Sequence, residues 1–345
     1  MERQLFKKPK KLRFLFKSLI GGGVLILILI IFWFLGQIYL LPQGEEEKKI
    51  ILTIEKGTGL AEISSQLKKE GLIRSEFLFQ LAAFAKGARK KLQAGTYYLS
   101  PVMTISEIID KLKKGDILKK TITIPEGWRL NDIALYLEME KLGPVEEFFK
   151  IVKKNFSQEF DFLKEKPKNR DLEGYLFPDS YQIYPNESLE RIIKKMLKNF
   201  GKKITPDLRE EIKKQGRTLD EVLIMASLLE KELKTFEEKQ IGAGILWKRL
   251  KAGWLLQVDA TLTYLTGKTT QELTREDLNL DSPYNTYKYF GLPPGPICNP
   301  GLASIKAAIF YKETPYWFYL TTPKGKTIFS KTLWEHNRAR AIYFK

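Results

Sequence analysis

The stretch TLDEVLIMASLLEKEL, from Thr218 to Leu233, is strongly apolar and ends in two glutamates, Glu230 and Glu232, on either side of Lys231. Thr218 followed by Glu221 has the spacing of a capping box, so the spacing predicts a helix that starts there. At 100° per residue, Val222, Met225, Ala226, Leu229 and Leu233 form its central apolar stripe, and Lys231 points away. Glu230 and Glu232 then lie roughly 80° from the stripe's centre, on opposite sides. A carboxylic acid beside apolar surface resists ionising, so its pKa rises toward the range where it can give up a proton and later take one back. The plainer reading makes both glutamates helix-end partners of Lys231, Lys234 or Lys239. Periodicity alone does not choose between these readings or between the two residues.

Few other chemistries are open to the chain. Its 345 residues include one cysteine, Cys298, and one histidine, His336. That excludes a disulfide framework and a Cys/His zinc site. Catalysis must rest on carboxylates, hydroxyls or lysines, and with no metal cluster or phosphate-cradling glycine loop no cofactor is expected. Cys298 is expected to be inert and His336 structural. Downstream of the two glutamates come Gly253–Tyr264, with Gln257 and Asp259; Asp281–Tyr287, with Tyr284, Asn285 and Tyr287; and Gly291–Gly301, with Asn299. A loop so dense in Pro, Gly, Asn and Tyr suits a polar ligand groove at the surface better than a plain connector. Upstream, DLEGYLFPDSYQIY from Asp171 carries Glu173 and reads as a cleft wall.

The elements that must position these residues follow a basic N-terminus. The net charge is +17, from 58 Lys plus Arg against 41 Asp plus Glu, which on its own would suit nucleic acid, an anionic membrane or an acidic polymer. Residues 1–17 hold seven cations against Glu2, and from Ser18 no charge appears until Glu45. Leu19–Leu41 as a helix would be about 35 Å long, enough to cross a hydrocarbon core of about 30 Å. The run is too long for a signal peptide and lacks a small-x-small cleavage site, so it reads as a retained anchor. The basic side should stay cytoplasmic, with everything after about Gln43 outside the cell membrane, where no nucleic acid is expected as a partner.

Two stretches align at an offset of 70 residues, Thr53–Leu72 and Thr123–Leu142. Each reads as a strand, a turn at Gly57 or Gly127, and an amphipathic helix. Such units resemble LysM-type modules, small βααβ folds that bind N-acetylglucosamine-containing glycans. Tyr97, Tyr98 and Trp128 are the aromatics available to stack on a sugar.

In order along the chain, EGYLFPDSY, ASLLEKE, LLQVDATLTY, SPYNTY, GLPPGPICNPG and EHNRARAIY follow one apolar span and a LysM-like unit. This series resembles the YceG-like family of endolytic murein transglycosylases. The resemblance implies an α+β protein: a basic tail (1–18), a transmembrane helix (19–41), a LysM-like βααβ subdomain (45–118) and a larger catalytic domain (119–345). It implies a lyase that cuts the β-1,4 bond from N-acetylmuramic acid to N-acetylglucosamine in nascent strands and leaves 1,6-anhydro ends. One glutamate suffices for that reaction, whereas ordinary glycosidases need two carboxylates. The resemblance favours Glu232, with Glu230 as the alternative, although Leu233 stands where the family has a Thr or Ala. Glu173, Gln257, Asp259, Tyr284, Asn285, Tyr287 and Asn299 become candidate substrate contacts; Ala260 replaces a family Pro after Asp259. Implied partners are peptidoglycan strands, the membrane and penicillin-binding synthases. The reading from another class is a noncatalytic peptidoglycan-binding scaffold that recruits synthases, and the near enzymatic neighbour is a hydrolytic muramidase.

Overall fold

The uninterrupted apolar run closes into α1 (Lys10–Tyr39). A computed structural model of the chain describes residues 10–42, 48–184 and 187–344, with side chains from Gly22 onward. Residues 1–9 of the basic tail and the acidic run at 45–47 therefore lie outside the described residues, and the rest of the tail, from Lys10, is the first part of α1. Within α1, Gly22–Tyr39 is long and apolar enough to cross a membrane. Its residues from Val24 to Trp33 are exposed, while Ile38 is buried and Phe34 packs beside it.

The chain divides into two compact units, Met1–Lys120 and Thr121–Lys345. In the first, α1 is followed by β1 (Ile50–Ile54), α2 (Leu60–Lys69), α3 (Glu76–Ala85), β2 (Gly95–Leu99) and α4 (Ile105–Lys114). β1 and β2 pair antiparallel, Ile50 opposite Leu99 and Ile54 opposite Gly95. One face of this ribbon, with Leu52, Ile54, Tyr97 and Leu99, meets Ile63, Leu67, Phe79 and the α4 residues Ile105, Ile108, Ile109 and Leu112. Tyr97 is therefore core and not a free sugar platform. Its hydroxyl donates to the Gln93 carbonyl at 2.6 Å, and burial pushes the phenol up to about 12. Tyr98, on the opposite face of the strand, stays exposed.

The second copy of the repeat opens the other unit with β3 (Lys120–Thr123), α5 (Leu130–Met139), α6 (Val145–Val152) and β4 (Ser180–Ile183). β3 pairs with β4, and beyond its end the Ile124 amide donates to the Asp179 carbonyl at 3.0 Å. Both copies thus run strand, helix, helix, strand, one helix and one strand more than the repeat alone indicates. The backbone matches too: Gly57 and Gly127 turn with φ of +97° and +79°, and Gly71 and Lys141 both adopt the left-handed conformation after the first helix. In the second copy the closing strand is delayed by residues 153–179, which carry Glu173. Trp128 packs against Tyr136 within this unit's core.

The rest of the unit is mainly helical: α7 (Leu189–Lys203), α8 (Pro206–Lys214), α9 (Leu219–Glu232), α10 (Phe236–Lys251), α11 (Asp259–Thr266) and α12 (Leu302–Ile309) precede a hairpin of β5 (Phe318–Thr321) and β6 (Thr327–Ser330) and a final α13 (Leu333–Tyr343). The capping box of α9 forms with both bonds, Glu221 N–H to Thr218 Oγ1 at 3.2 Å and Thr218 N–H to Glu221 Oε2 at 2.8 Å. The expected single stripe is too narrow, however. Every residue from Leu219 to Leu229 except Glu221 is buried, because α8, α10, α11 and α12 all pack on α9. It is the central helix, and it stops where Leu233 turns extended.

The Pro-Gly-rich loop also departs from expectation. Only its start reaches solvent, and Gly295–Gly301 is buried. Gly174 shows the fit: at φ of +86°, an added Cβ would sit 2.5 Å from Pro296 Cγ. Gly174→Ala should therefore destabilise this unit by about 2 kcal/mol or more. Gly57→Ala, strained in φ but with nothing within 4 Å, should cost only about 1 kcal/mol. Denaturant midpoints followed by far-UV circular dichroism, which reports both units, check the difference.

Candidate functional site

The two glutamates at the end of α9 face opposite surroundings. Glu230 meets a cation: its Oε1 lies 3.0 Å from Lys239 Nζ of α10, and both side chains are nearly inaccessible, 9% and 5% exposed. Its other oxygen accepts from Gly301 N–H at 2.9 Å and Ser304 Oγ at 2.7 Å. The plainer sequence reading therefore holds for Glu230, and Lys239 is the lysine that pairs. Glu126 crowds this cluster, its carboxyl pushed up by burial and then by the Glu230 charge. The Cβ that Gly301 lacks would collide with the Glu126 carboxylate.

Glu232 has no cation partner among the described residues. Its Oε1 accepts from the Ala260 amide at 3.0 Å, in the first turn of α11, where the helix dipole favours negative charge. The Tyr319 hydroxyl of β5 faces it as well and favours its charged form. Burial, followed by the charge of Asp259, nevertheless pushes the carboxyl up to about 7. That is the poise a proton donor and acceptor needs near neutral pH. Asp259 accepts from the Tyr287 hydroxyl, and the Tyr287 phenol is driven up by burial and by Asp259. Behind them Arg249 is buried, its Nε donating to Trp317 O at 2.9 Å and its Nη1 to Leu256 O at 2.7 Å.

Gln257 takes a left-handed backbone, φ +53°, with its side chain exposed two residues before Asp259. A non-glycine residue in that conformation stores about 1 kcal/mol or more of strain and is held by its surroundings. Here Gln257 N–H donates to Thr286 O and Val258 N–H to Thr286 Oγ1, both at 3.0 Å. The LLQVDATLTY and SPYNTY motifs are thereby tied together.

Glu173 and Tyr284 lie elsewhere, on a cavity of about 340 Å³ shared with Arg170 and Tyr264. The Glu173 carboxyl accepts from Leu130 N–H at 3.1 Å and Asn299 Nδ2 at 2.9 Å, and burial pushes it up to about 8. The Tyr264 and Tyr284 rings pack with centroids 5.1 Å apart. Asn285 and Asn299 are fully buried. Asn285 Nδ2 donates to Leu278 O and Leu280 O, and Asn299 joins Trp128 O and Leu176 N–H as well as Glu173. As positioned here they hold the walls together and do not face a ligand. Cys298 is buried, with its thiol pushed up by burial, and His336 stacks on Phe318 at 5.4 Å.

A profile of the YceG-like family matches residues 52–342. The chain belongs to the YceG-like family. It is similar to a Bacillus subtilis (strain 168) protein named endolytic murein transglycosylase, 36% identical over 322 residues and covering 89% of each chain. A Streptococcus pneumoniae (serotype 2, strain D39) protein of the same name is 31% identical over 328 residues, which span 87% of this chain and 59% of that one. Among solved structures, the 2.6 Å crystal structure of a YceG-like protein from Listeria monocytogenes matches with a TM-score of 0.59 and 32% identity, over 85% of this chain and all of that one.

In this YceG-like chain, Tyr319, Arg249 and the Ala260 amide carry no signal in the sequence, since each reaches Glu232 or its neighbours from a distant segment. Lys239 was visible only as one of several nearby lysines. Glu230→Ala would strand the buried Lys239 ammonium and should cost about 3–5 kcal/mol. Adding Lys239→Met should restore most of that. Thermal melts of the two variants report the outcome, and a Glu230→Ala protein as stable as its parent would refute the structural role.

Proposed function

We propose that this chain is a membrane-anchored lytic transglycosylase in which Glu232 is the single general acid and base. The observation that carries the reading is the Glu232 carboxyl: without a cation partner among the described residues, raised to about 7, and faced by the Ala260 amide and the Tyr319 hydroxyl. The substrate class comes from the relatives, which bear the name endolytic murein transglycosylase.

In the reaction, protonated Glu232 gives its proton to the oxygen that links C1 of a muramoyl residue to the next N-acetylglucosamine, and that bond breaks. The resulting carboxylate is steadied by the Ala260 N–H and the Tyr319 hydroxyl. It then removes the proton from the muramoyl C6 hydroxyl, whose oxygen bonds to C1 and leaves a 1,6-anhydro end. Glu232 finishes protonated, no water is consumed, and the atoms balance. Asp259, held by Tyr287, is close enough to raise the Glu232 pKa and to favour positive charge developing at C1. Gln257, exposed on its strained turn, is placed to hold substrate.

The apolar α1, with its basic N-terminal flank, supports a single-pass anchor in the cytoplasmic membrane with the tail inside. In that orientation the catalytic unit lies outside the membrane, where nascent strands and penicillin-binding synthases are the partners we propose. The βααβ order of β1, α2, α3 and β2 supports a LysM-like role in holding glycan.

The full chain in detergent, given uncrosslinked glycan strands, should yield anhydro ends, one water lighter than a muramidase product by mass. Glu232→Gln should lower the rate roughly 10²–10⁴-fold while binding stays intact. If that variant cuts normally and Glu230→Gln does not, the roles are reversed. Because the acid must start protonated, kcat/KM should fall as pH rises through about 7. The linkage gives a second readout. The folded pKa of about 7 lies above the ordinary value of 4.5, so Glu232 makes folding less favourable as pH rises between those values. At pH 8 Glu232→Gln should therefore be more stable than the parent by about 3 kcal/mol, and near pH 4 the two should be equal.

A further inference from the structure

One turn of α11 separates the Glu232 carboxyl from the cavity beneath Glu173. Ala260, whose amide meets Glu232, and Tyr264, which lines the cavity, are four residues apart, about 6 Å along the helix. That is on the scale of one sugar ring. The cavity's lining carries Lys153, Lys168 and Arg170 against one aspartate, Asp171, besides Glu173. Arg170 is paired with Asp220, but among the described residues neither Lys153 nor Lys168 has a carboxylate in ion-pair range. The Glu173 carboxyl at the wall is raised to about 8 by burial, so near neutral pH it is mostly uncharged and does not oppose an anion. The packed rings of Tyr264 and Tyr284 supply an apolar face of the kind that meets the C–H face of a sugar.

We propose that this cavity is an anion-reading subsite that takes the carboxylate borne on a muramoyl residue next to the cleavage point, with Lys153 and Lys168 as its specificity-determining cations. The proposal rests on the transglycosylase reading and adds to it a preference for acidic glycan over neutral glycan. Two sources present the same chemistry: the free lactyl carboxylate of a strand stripped of peptides, and a carboxylate of the stem peptide. The lysines are exposed and stand outside the Glu232 machinery, so they tune which strands bind and leave the chemistry unchanged.

The test uses the full chain carrying Glu232→Gln, which holds substrate without cutting it, and compares it with the same chain carrying Lys153→Glu and Lys168→Glu. Binding is measured to glycan strands with stem peptides, to amidase-stripped strands, and to samples of each whose carboxylates have been capped with ethanolamine. Reversing two exposed charges should weaken binding to uncapped strands roughly tenfold and leave capped strands within about twofold. Loss on stripped strands identifies the lactyl carboxylate, and loss confined to peptide-bearing strands identifies the stem peptide. Equal loss on capped and uncapped strands, or no loss on either, overturns the proposal. Cleavage by the chain with Glu232 intact is read separately: anhydro ends without charge discrimination would sink the subsite alone, and absence of anhydro ends would sink the underlying activity.

Discussion

A buried ammonium must be compensated, and at the end of α9 the compensation is Glu230. Its carboxylate holds Lys239 of α10 and, through the other oxygen, the Gly301 amide and Ser304 hydroxyl at the start of α12. Three segments are fixed relative to each other by that one group. Two residues further on, about 200° around the helix, Glu232 necessarily faces the other way. Among the described residues no lysine pairs with it, and the amide and the phenol that meet it are dipoles. Such groups can steady a carboxylate without holding it permanently ionised. One turn of helix thus divides two chemically identical side chains, one paired with a buried lysine and one left with an amide and a phenol.

α11 is the second constraint. Its first turn presents Ala260 to Glu232, its start carries Asp259, and its next turn presents Tyr264 to the cavity. Its entry is set by the strained turn at Gln257, pinned to Thr286. The short peptides 257–261 and 284–287 act together because neither satisfies its own backbone groups alone. Asn285 and Asn299, which look like ligand contacts in a loop sequence, are used for the same purpose. A buried loop must find partners for its polar backbone, and buried asparagines supply them.

The repeat shows one local pattern put to two uses. Both copies keep the glycine turn, the left-handed residue after the first helix, and the paired flanking strands. The first closes promptly over its own core. The second admits residues 153–179 before its closing strand, and this insertion supplies Arg170, Asp171 and Glu173. Local sequence was conserved between the copies where the backbone needed it and changed where the chain could be lengthened without disturbing the strand pair.

What the sequence settled by itself were matters of local physics. An unbroken apolar run gave α1, Thr218 with Glu221 set the start of α9, and glycines at an offset of 70 marked the two turns. The scarcity of Cys and His left carboxylate chemistry, and the ordered motifs pointed to the family. Periodicity placed Glu230 and Glu232 on opposite flanks and could go no further. Which of them stays free depends on where α10, α11 and β5 pack. The sequence likewise offered Gln257, Asp259 and Tyr287 together with Glu173 and Tyr284 as one set of contacts. Tertiary packing sorted them into a cluster around Glu232 and a separate cavity. It buried α9 on every side because neighbours surround it, a circumstance that no pattern within the helix records. A carboxyl's pKa is set by the charges and dipoles within a few ångströms, and here those arrive from segments distant along the chain.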